Sequence, residues 1–287
     1  MRLITLIGLS SMWTTLRAGD GTAIEGDLFV NRHTYFRLER ISAWFGFLLL
    51  VGFVIAFALA GILTPMDPNL APDQVRDFII QHKGGILAAT SIMVLAVPFE
   101  YPYVVVTSLQ MRRIEGGWGI LSMIQLLTGV VAPIGFFFPM AVLSAAAFHP
   151  ERHSVDMLST MNDLFWLMFV GDACIFVLQV WSIGYAALID RRGKGEQGAK
   201  GAKPVFPRWY GWLSIVLGVL LIPGAFVFMF KSGPLAWNGL LANTIPTLVY
   251  FVWKIATPIL LLKAVKNEEK ELAEGTATVD PIALVAA

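Results

Sequence analysis

The stretch LLANTIPTLVYFVWKIATPILLL, residues Leu240–Leu262, decides the fold. It is apolar over a length that crosses a hydrocarbon core, which takes about 20 helical residues. A lysine, Lys254, stands inside it. An ionisable side chain at that depth is costly and by default marks a functional site. Asn243, Thr247, Tyr250, Lys254 and Thr257 follow at offsets of 0, 4, 7, 11 and 14. At about 100° per residue they fall within roughly 80° of one another, a polar stripe on a greasy helix.

Five further apolar segments of spanning length precede it, roughly 42–63, 85–109, 118–147, 160–189 and 209–230, and the last extends over 238–262. The chain of 287 residues is 56% hydrophobic and 14% charged, where a soluble domain is usually about 25% charged. Strand-type alternation is absent, which argues against an outer-membrane barrel. The expected fold is all-α, a polytopic membrane protein with six transmembrane helices as three hairpins. A cytoplasmic N-terminal arm would occupy 1–41, the transmembrane domain 42–263 and a cytoplasmic tail 264–287. Met1–Trp13 is too short to span and reads as an interfacial segment or an over-called start codon, with Trp13, Phe29 and Tyr35 on an inner-surface arm. The loop Thr64–Gly84 is expected to hold a short helix from Asp73 to His82, capped by Asp73. The Gly- and Lys-rich loop Asp190–Pro207 reads as a linker, and Gly275–Ala287 as a disordered tail.

Basic residues set the topology. Of the 21 Lys and Arg, only Arg76, Lys83, Arg152 and Lys231 fall on one side of the six segments and Lys254 lies within the last, leaving 16 on the other side. The positive-inside rule places that richer side, and both termini, in the cytoplasm. The net charge of +1 is spread over loops, so nothing points to nucleic acid.

Two other segments carry acids at membrane depth. Glu100 lies in Pro98-Phe-Glu-Tyr-Pro-Tyr103, where each proline removes a backbone donor, so the second helix is expected to kink or unwind there. Asp172 lies near the middle of the fourth helix, with Gln179 and Ser182 at offsets that place all three on one face. By rise along each helix, Glu100 and Lys254 reach similar depths, so a buried pair is allowed; Asp172 is the other candidate partner. The candidate ligand-binding or proton-relay set is Glu100, Asp172, Gln179, Asn243, Tyr250 and Lys254, in a pocket between the second, fourth and sixth helices.

The remaining chemistry is sparse. His33, His82, His149 and His153 all fall in loops or helix ends, so a haem, copper or di-iron site in the bilayer is not expected. His149 and His153 with Glu151 and Asp156 read as a solvated loop, and no metal site is predicted. The lone cysteine, Cys174, reads as packing. No phosphate-cradling glycine loop or nucleophile elbow appears. The cofactor is unknown from the sequence; a retinal-type pigment on Lys254 is a further idea, but such pigments have seven helices and this chain offers six.

The stretches Arg112-Arg-Ile-Glu-Gly-Gly-Trp118, Phe206-Pro-Arg-Trp209 and Gly233-Pro-Leu-Ala-Trp-Asn-Gly239 resemble a group of bacterial multi-pass membrane proteins with no assigned activity. The resemblance covers about half the chain and implies a six-helix fold in the cytoplasmic (inner) membrane; Lys254 stands out against the apolar residues expected at its position. The function expected is binding or transport of a small or amphipathic ligand, with possible proton coupling. Two alternatives stand beside it. One is a non-catalytic accessory subunit of a larger membrane complex, with partner subunits. The other is a membrane-embedded enzyme acting on a lipid-like substrate, which no nucleophile–base pair supports. Membrane lipids are the one partner that composition itself implies.

Overall fold

The computed structural model describes residues 32–192 and 202–274. The expected N-terminal arm up to Asn31, the glycine-rich part of the linker (193–201) and the tail from Gly275 lie outside the described residues. Residues Phe36–Ala287 pack as one unit; of the other, Met1–Tyr35, only the helical Arg32–Tyr35 is described.

Every regular element among the described residues is helical. Six helices are long and apolar enough to cross a membrane: Arg32–Leu59, Lys83–Glu115, Ile120–Phe148, Val155–Ile189, Arg208–Phe226 and Leu240–Ala273. We call them the first to sixth spans. Leu48, Leu95, Leu127, Leu178, Val216 and Leu248, one from each span, are exposed. Outward apolar faces on all six are a surface suited to lipid rather than to water.

Between the first two spans lies the short helix Pro72–Gln81. It begins one residue earlier than the sequence suggested, and Asp73 is not its cap. Pro72 takes the first helical position, where its missing N–H costs nothing. The Gln74 side chain instead accepts the Ala71 N–H at 3.0 Å.

Three of the spans are broken near their middles and a fourth ends in a 3-10 turn. The second is interrupted by a 3-10 turn at Val97–Phe99 that contains Pro98. The third breaks at Ala132–Pro133, between Ile120–Val131 and Ile134–Phe148. The fourth passes through a 3-10 turn at Asp172–Ile175, and the fifth ends in one at Ile222–Phe226 that holds Pro223. A proline frees the carbonyl one turn earlier, and that carbonyl needs another partner at membrane depth. The Cys174 thiol donates to the carbonyls of Leu221 and Ile222, beside the break in the fifth span, at 3.5 Å.

Packing follows chain order. The second span lies along the third, the third along the fourth, and the second half of the fourth along the fifth; the sixth packs on the fifth and on Glu100–Glu115. Close approach depends on small residues, as expected where lipid provides no hydrophobic drive between helices. A Cβ on Gly85 would stand 1.9 Å from the Leu59 carbonyl oxygen, and one on Gly218 would stand 2.0 Å from the Trp181 indole nitrogen. Neighbouring Gly84 has nothing within 4 Å of that position.

The paired glycines make a controlled test. Gly85→Ala forces backbone apart and is expected to destabilise the protein by about 1–3 kcal/mol. Gly84→Ala meets open space and should be neutral or stabilise by about 0.5–1 kcal/mol, because alanine favours the helix. Reversible unfolding in mixed detergent micelles would compare them; equal effects would remove the close-contact explanation.

Candidate functional site

Helix resumes at Glu100 directly after the Val97–Phe99 turn, and that break brings the carboxylate to the middle of the second span. Lys254 sits well inside the sixth span, which is continuous helix from Ile245 onward. The two meet. Lys254 Nζ lies 2.5 Å from Glu100 Oε1, with the residues 2% and 4% exposed respectively. The ammonium also stands over the Tyr103 ring, 4.1 Å from its centroid, a cation–π contact strengthened by the lack of solvent. Glu100 Oε2 and the Tyr103 hydroxyl are both buried, and neither makes a well-formed hydrogen bond to the protein.

One side of the pair is closed by a satisfied network. The Tyr210 hydroxyl donates to Thr257 Oγ1 at 2.6 Å, which donates to the Trp253 carbonyl at 2.7 Å. The Trp253 indole N–H donates to Ser214 Oγ at 2.9 Å. Thr257, part of the polar stripe, is therefore used in joining the fifth and sixth spans.

The other side is open and aromatic. A cleft with about 540 Å³ of space not filled by atoms is lined by Phe53, Phe136, Phe169, Phe176, Tyr250 and Phe251, among others. A smaller gap of about 210 Å³ shares Phe53, Phe136 and Tyr250 with it and continues to Lys254. The rings touch one another: Phe53–Phe136, Phe53–Phe251, Phe136–Phe176 and Phe176–Tyr250 have centroids 5.6–6.0 Å apart. These residues come from the first, third, fourth and sixth spans, whereas the sequence suggested a pocket among the second, fourth and sixth.

The six candidate residues are distributed as follows. Glu100, Tyr250 and Lys254 gather at the inner end of the cleft. Asn243 lines its wall but is already engaged: its amide donates to the Trp237 carbonyl at 2.8 Å and its carbonyl oxygen accepts from Thr247 at 2.8 Å. Asp172 does not join them. It lies in a separate groove with Gly135, Phe138 and Phe228. Gln179 is buried against the third span, where a Cβ on Gly129 would approach its amide nitrogen to 2.8 Å.

A second buried polar cluster escaped the sequence reading. Arg113 Nη2 lies 2.7 Å from Glu271 Oε2, and its Nε lies 3.4 Å from Glu268 Oε1. Arg113 also donates to Gln110 Oε1 at 2.7 Å. The Gln110 amide donates to Glu268 at 2.6 Å and to Glu39 at 3.4 Å. Composition places Arg113 and the charged stretch 263–273 beyond the apolar segments. The available signal was spacing: Gln110 with Arg113, and Glu268 with Glu271, are three apart and so share a helix face. The cluster ties the end of the sixth span to the first and second spans.

His149 and His153 are partly exposed. His149 Nδ1 and Lys83 Nζ flank exposed Glu151 at 3.1 and 3.9 Å. Hydrogen bonding from the backbone and then from His149 holds the Glu151 carboxyl below its ordinary range. Among the described residues no group of three or more His, Cys, Asp or Glu is placed to hold a metal ion.

Comparison with protein families, curated proteins and solved structures finds no match to this chain. The class is therefore defined by fold and site alone: an all-helical protein with six helices long and apolar enough to span a membrane, holding a buried Glu–Lys pair at the end of an aromatic cleft.

Breaking the pair should cost more than removing it. Lys254→Met alone leaves a buried carboxylate without its cation and is expected to destabilise by about 3–5 kcal/mol. Adding Glu100→Gln should recover most of that loss, because no charge then remains to be answered. Unfolding free energies for the two singles and the double would measure the coupling; additive losses would show that the pair is not energetically closed.

Proposed function

We propose that this chain is an integral protein of the bacterial cytoplasmic membrane, with both termini in the cytoplasm. It binds, and in the fuller form of the proposal transports, an amphipathic ligand with an anionic head. The observation that carries the reading is the apolar, ring-lined cleft that ends on a buried ion pair. Apolar walls accept a chain or ring system, and a few convergent polar groups at one end fix orientation. Three hairpins with a 16-to-4 basic bias across the six spans support the orientation.

Charge balance selects the head group. Among the described residues Lys254 is the one cation lining the cleft and the gap beyond it, and Glu100 neutralises it. An incoming carboxylate can take the place of Glu100 beside Lys254. Glu100 would then be a second anion in the same low-dielectric site, facing Tyr103 and Tyr250 as well as Lys254. Like charges at that separation cannot both persist, so one carboxyl takes up a proton. Binding of the anion thereby brings a proton with it, which is how a site of this kind couples a ligand to a proton gradient.

Dodecanoate is a suitable probe. Calorimetry in buffers of different ionisation enthalpy is expected to show uptake of about one proton per dodecanoate bound, and affinity that weakens by about tenfold per pH unit as pH rises above the coupled range, in the sense that linkage requires. Lys254→Met should abolish saturable binding, and Glu100→Gln should retain binding without proton uptake. Binding that is indifferent to both substitutions would sink the proposal. A stoichiometric partner chain in native mass spectrometry, with no dodecanoate bound, would move the reading to an accessory subunit.

A further inference from the structure

We propose that the groove around Asp172 is a second binding site, separate from the Lys254 cleft, that takes lipophilic amines from the bilayer. Asp172 sits at the midpoint of the fourth span, where the helix gives way to the Asp172–Ile175 turn. Its groove takes in about 690 Å³ of space not filled by atoms, the open side included. The carboxylate is seated by a glycine: a Cβ on Gly135 would stand 1.5 Å from Asp172 Oδ2. Any other residue there would displace it. Asp172 Oδ1 is buried and has no hydrogen-bond partner in the protein. No basic side chain among the described residues lies close enough to act on it, and Cys174 is the other titratable group near it.

The walls say where an occupant comes from. Phe138, Ile175 and Phe228, which line the groove, are 50%, 47% and 63% exposed. They belong to the apolar outer surface, so the groove opens sideways toward lipid rather than toward an aqueous end. An acid in such a place lacks a charge partner, and an ionised carboxylate there needs a cation. A protonated amine supplies the charge and one to three hydrogen bonds to Asp172, while its apolar body covers the walls. The rings of Phe138 and Phe228 favour a cation over an anion. An inorganic cation would need several oxygen ligands, and among the described residues no acidic cluster accompanies Asp172. The two sites thus have opposite charge preference, and the failure of one leaves the other standing.

The test uses the full chain in lipid nanodiscs with the lipophilic carbodiimide N,N′-dicyclohexylcarbodiimide, which modifies carboxyls in apolar surroundings. Peptide mass spectrometry is expected to find Asp172 labelled, and N,N-dimethyldodecylamine, a tertiary amine that cannot form an amide with the activated carboxyl, should slow that labelling by about tenfold or more, as for occupation of a charge-paired site. Dodecanoate should leave the rate unchanged. In native mass spectrometry one molecule of the same amine should be retained per chain, lost in Asp172→Asn and kept in Lys254→Met. Absence of labelling at Asp172, equal protection by dodecanoate, or retention of the amine in Asp172→Asn would each overturn the proposal. Should Asp172→Asn not fold, labelling and protection of the unmutated protein decide the matter.

Discussion

Lys254 has to be answered inside the protein, because a buried ammonium surrounded by apolar helices has no water to turn to. The answer is a carboxylate from a different span, and reaching it constrains much of the fold. The sixth span must pack on the second at the level of Glu100. The second span must break just before that residue, so that Glu100 begins a new helical segment and faces its partner. Tyr103, one turn further, then lies under the ammonium. The pair is a poor source of stability, since desolvating two charges offsets most of their attraction. Its persistence at the end of a cleft is better understood as a requirement of what the cleft does.

The helix breaks serve the same end. Four of the six spans contain or end in a 3-10 turn or a proline break, and two of these breaks carry the acids. Glu100 follows the Val97–Phe99 turn, and Asp172 opens the Asp172–Ile175 turn. A regular helix turns its backbone polar groups inward on itself and leaves only side chains to interact. A broken one frees carbonyls and re-aims the side chains beside the gap, which is why non-helical backbone at membrane depth is tolerated where it lines a cavity. Both acids stand where the helix is interrupted; Asp172 lines a groove, and Glu100 is buried against Lys254, which lines the gap that continues from the aromatic cleft.

Much of this was legible in the sequence, for identifiable reasons. Length and apolarity mark spans directly, because the hydrocarbon core has a fixed thickness. The Glu100–Lys254 contact was allowed by depth alone, since rise per residue is constant along each helix. Depth carries no azimuth, however, and that is where Asp172 was lost: it shares the level of the pair but turns toward Gly135 and the third span. The aromatic cleft was illegible for a related reason. Phe53, Phe136, Phe176 and Phe251 come from four segments distant in sequence, and no single helix shows more than a fragment of the wall. The Arg113 cluster was hidden by its composition, because runs of Lys, Arg and Glu beyond a span look the same whether solvated or paired.

That cluster shows how the chain separates two kinds of charge. At the basic end, Arg113 is shared by Glu268 and Glu271, Gln110 bridges to Glu39, and Lys203 donates its backbone N–H to Glu271 at 3.0 Å. These groups are held from several directions, and such a closed network rigidifies the helices it joins. At mid-span the opposite holds. Glu100 Oε2, the Tyr103 hydroxyl and Asp172 Oδ1 make no well-formed hydrogen bond there; Arg112 Nε, Gln125 Nε2 and Trp166 Nε1 are the others of this kind among the described residues. Buried polar atoms left open cost free energy that a satisfied network does not. Half of the buried polar atoms left open among the described residues thus belong to Glu100, Tyr103 and Asp172, the groups of the two proposed sites.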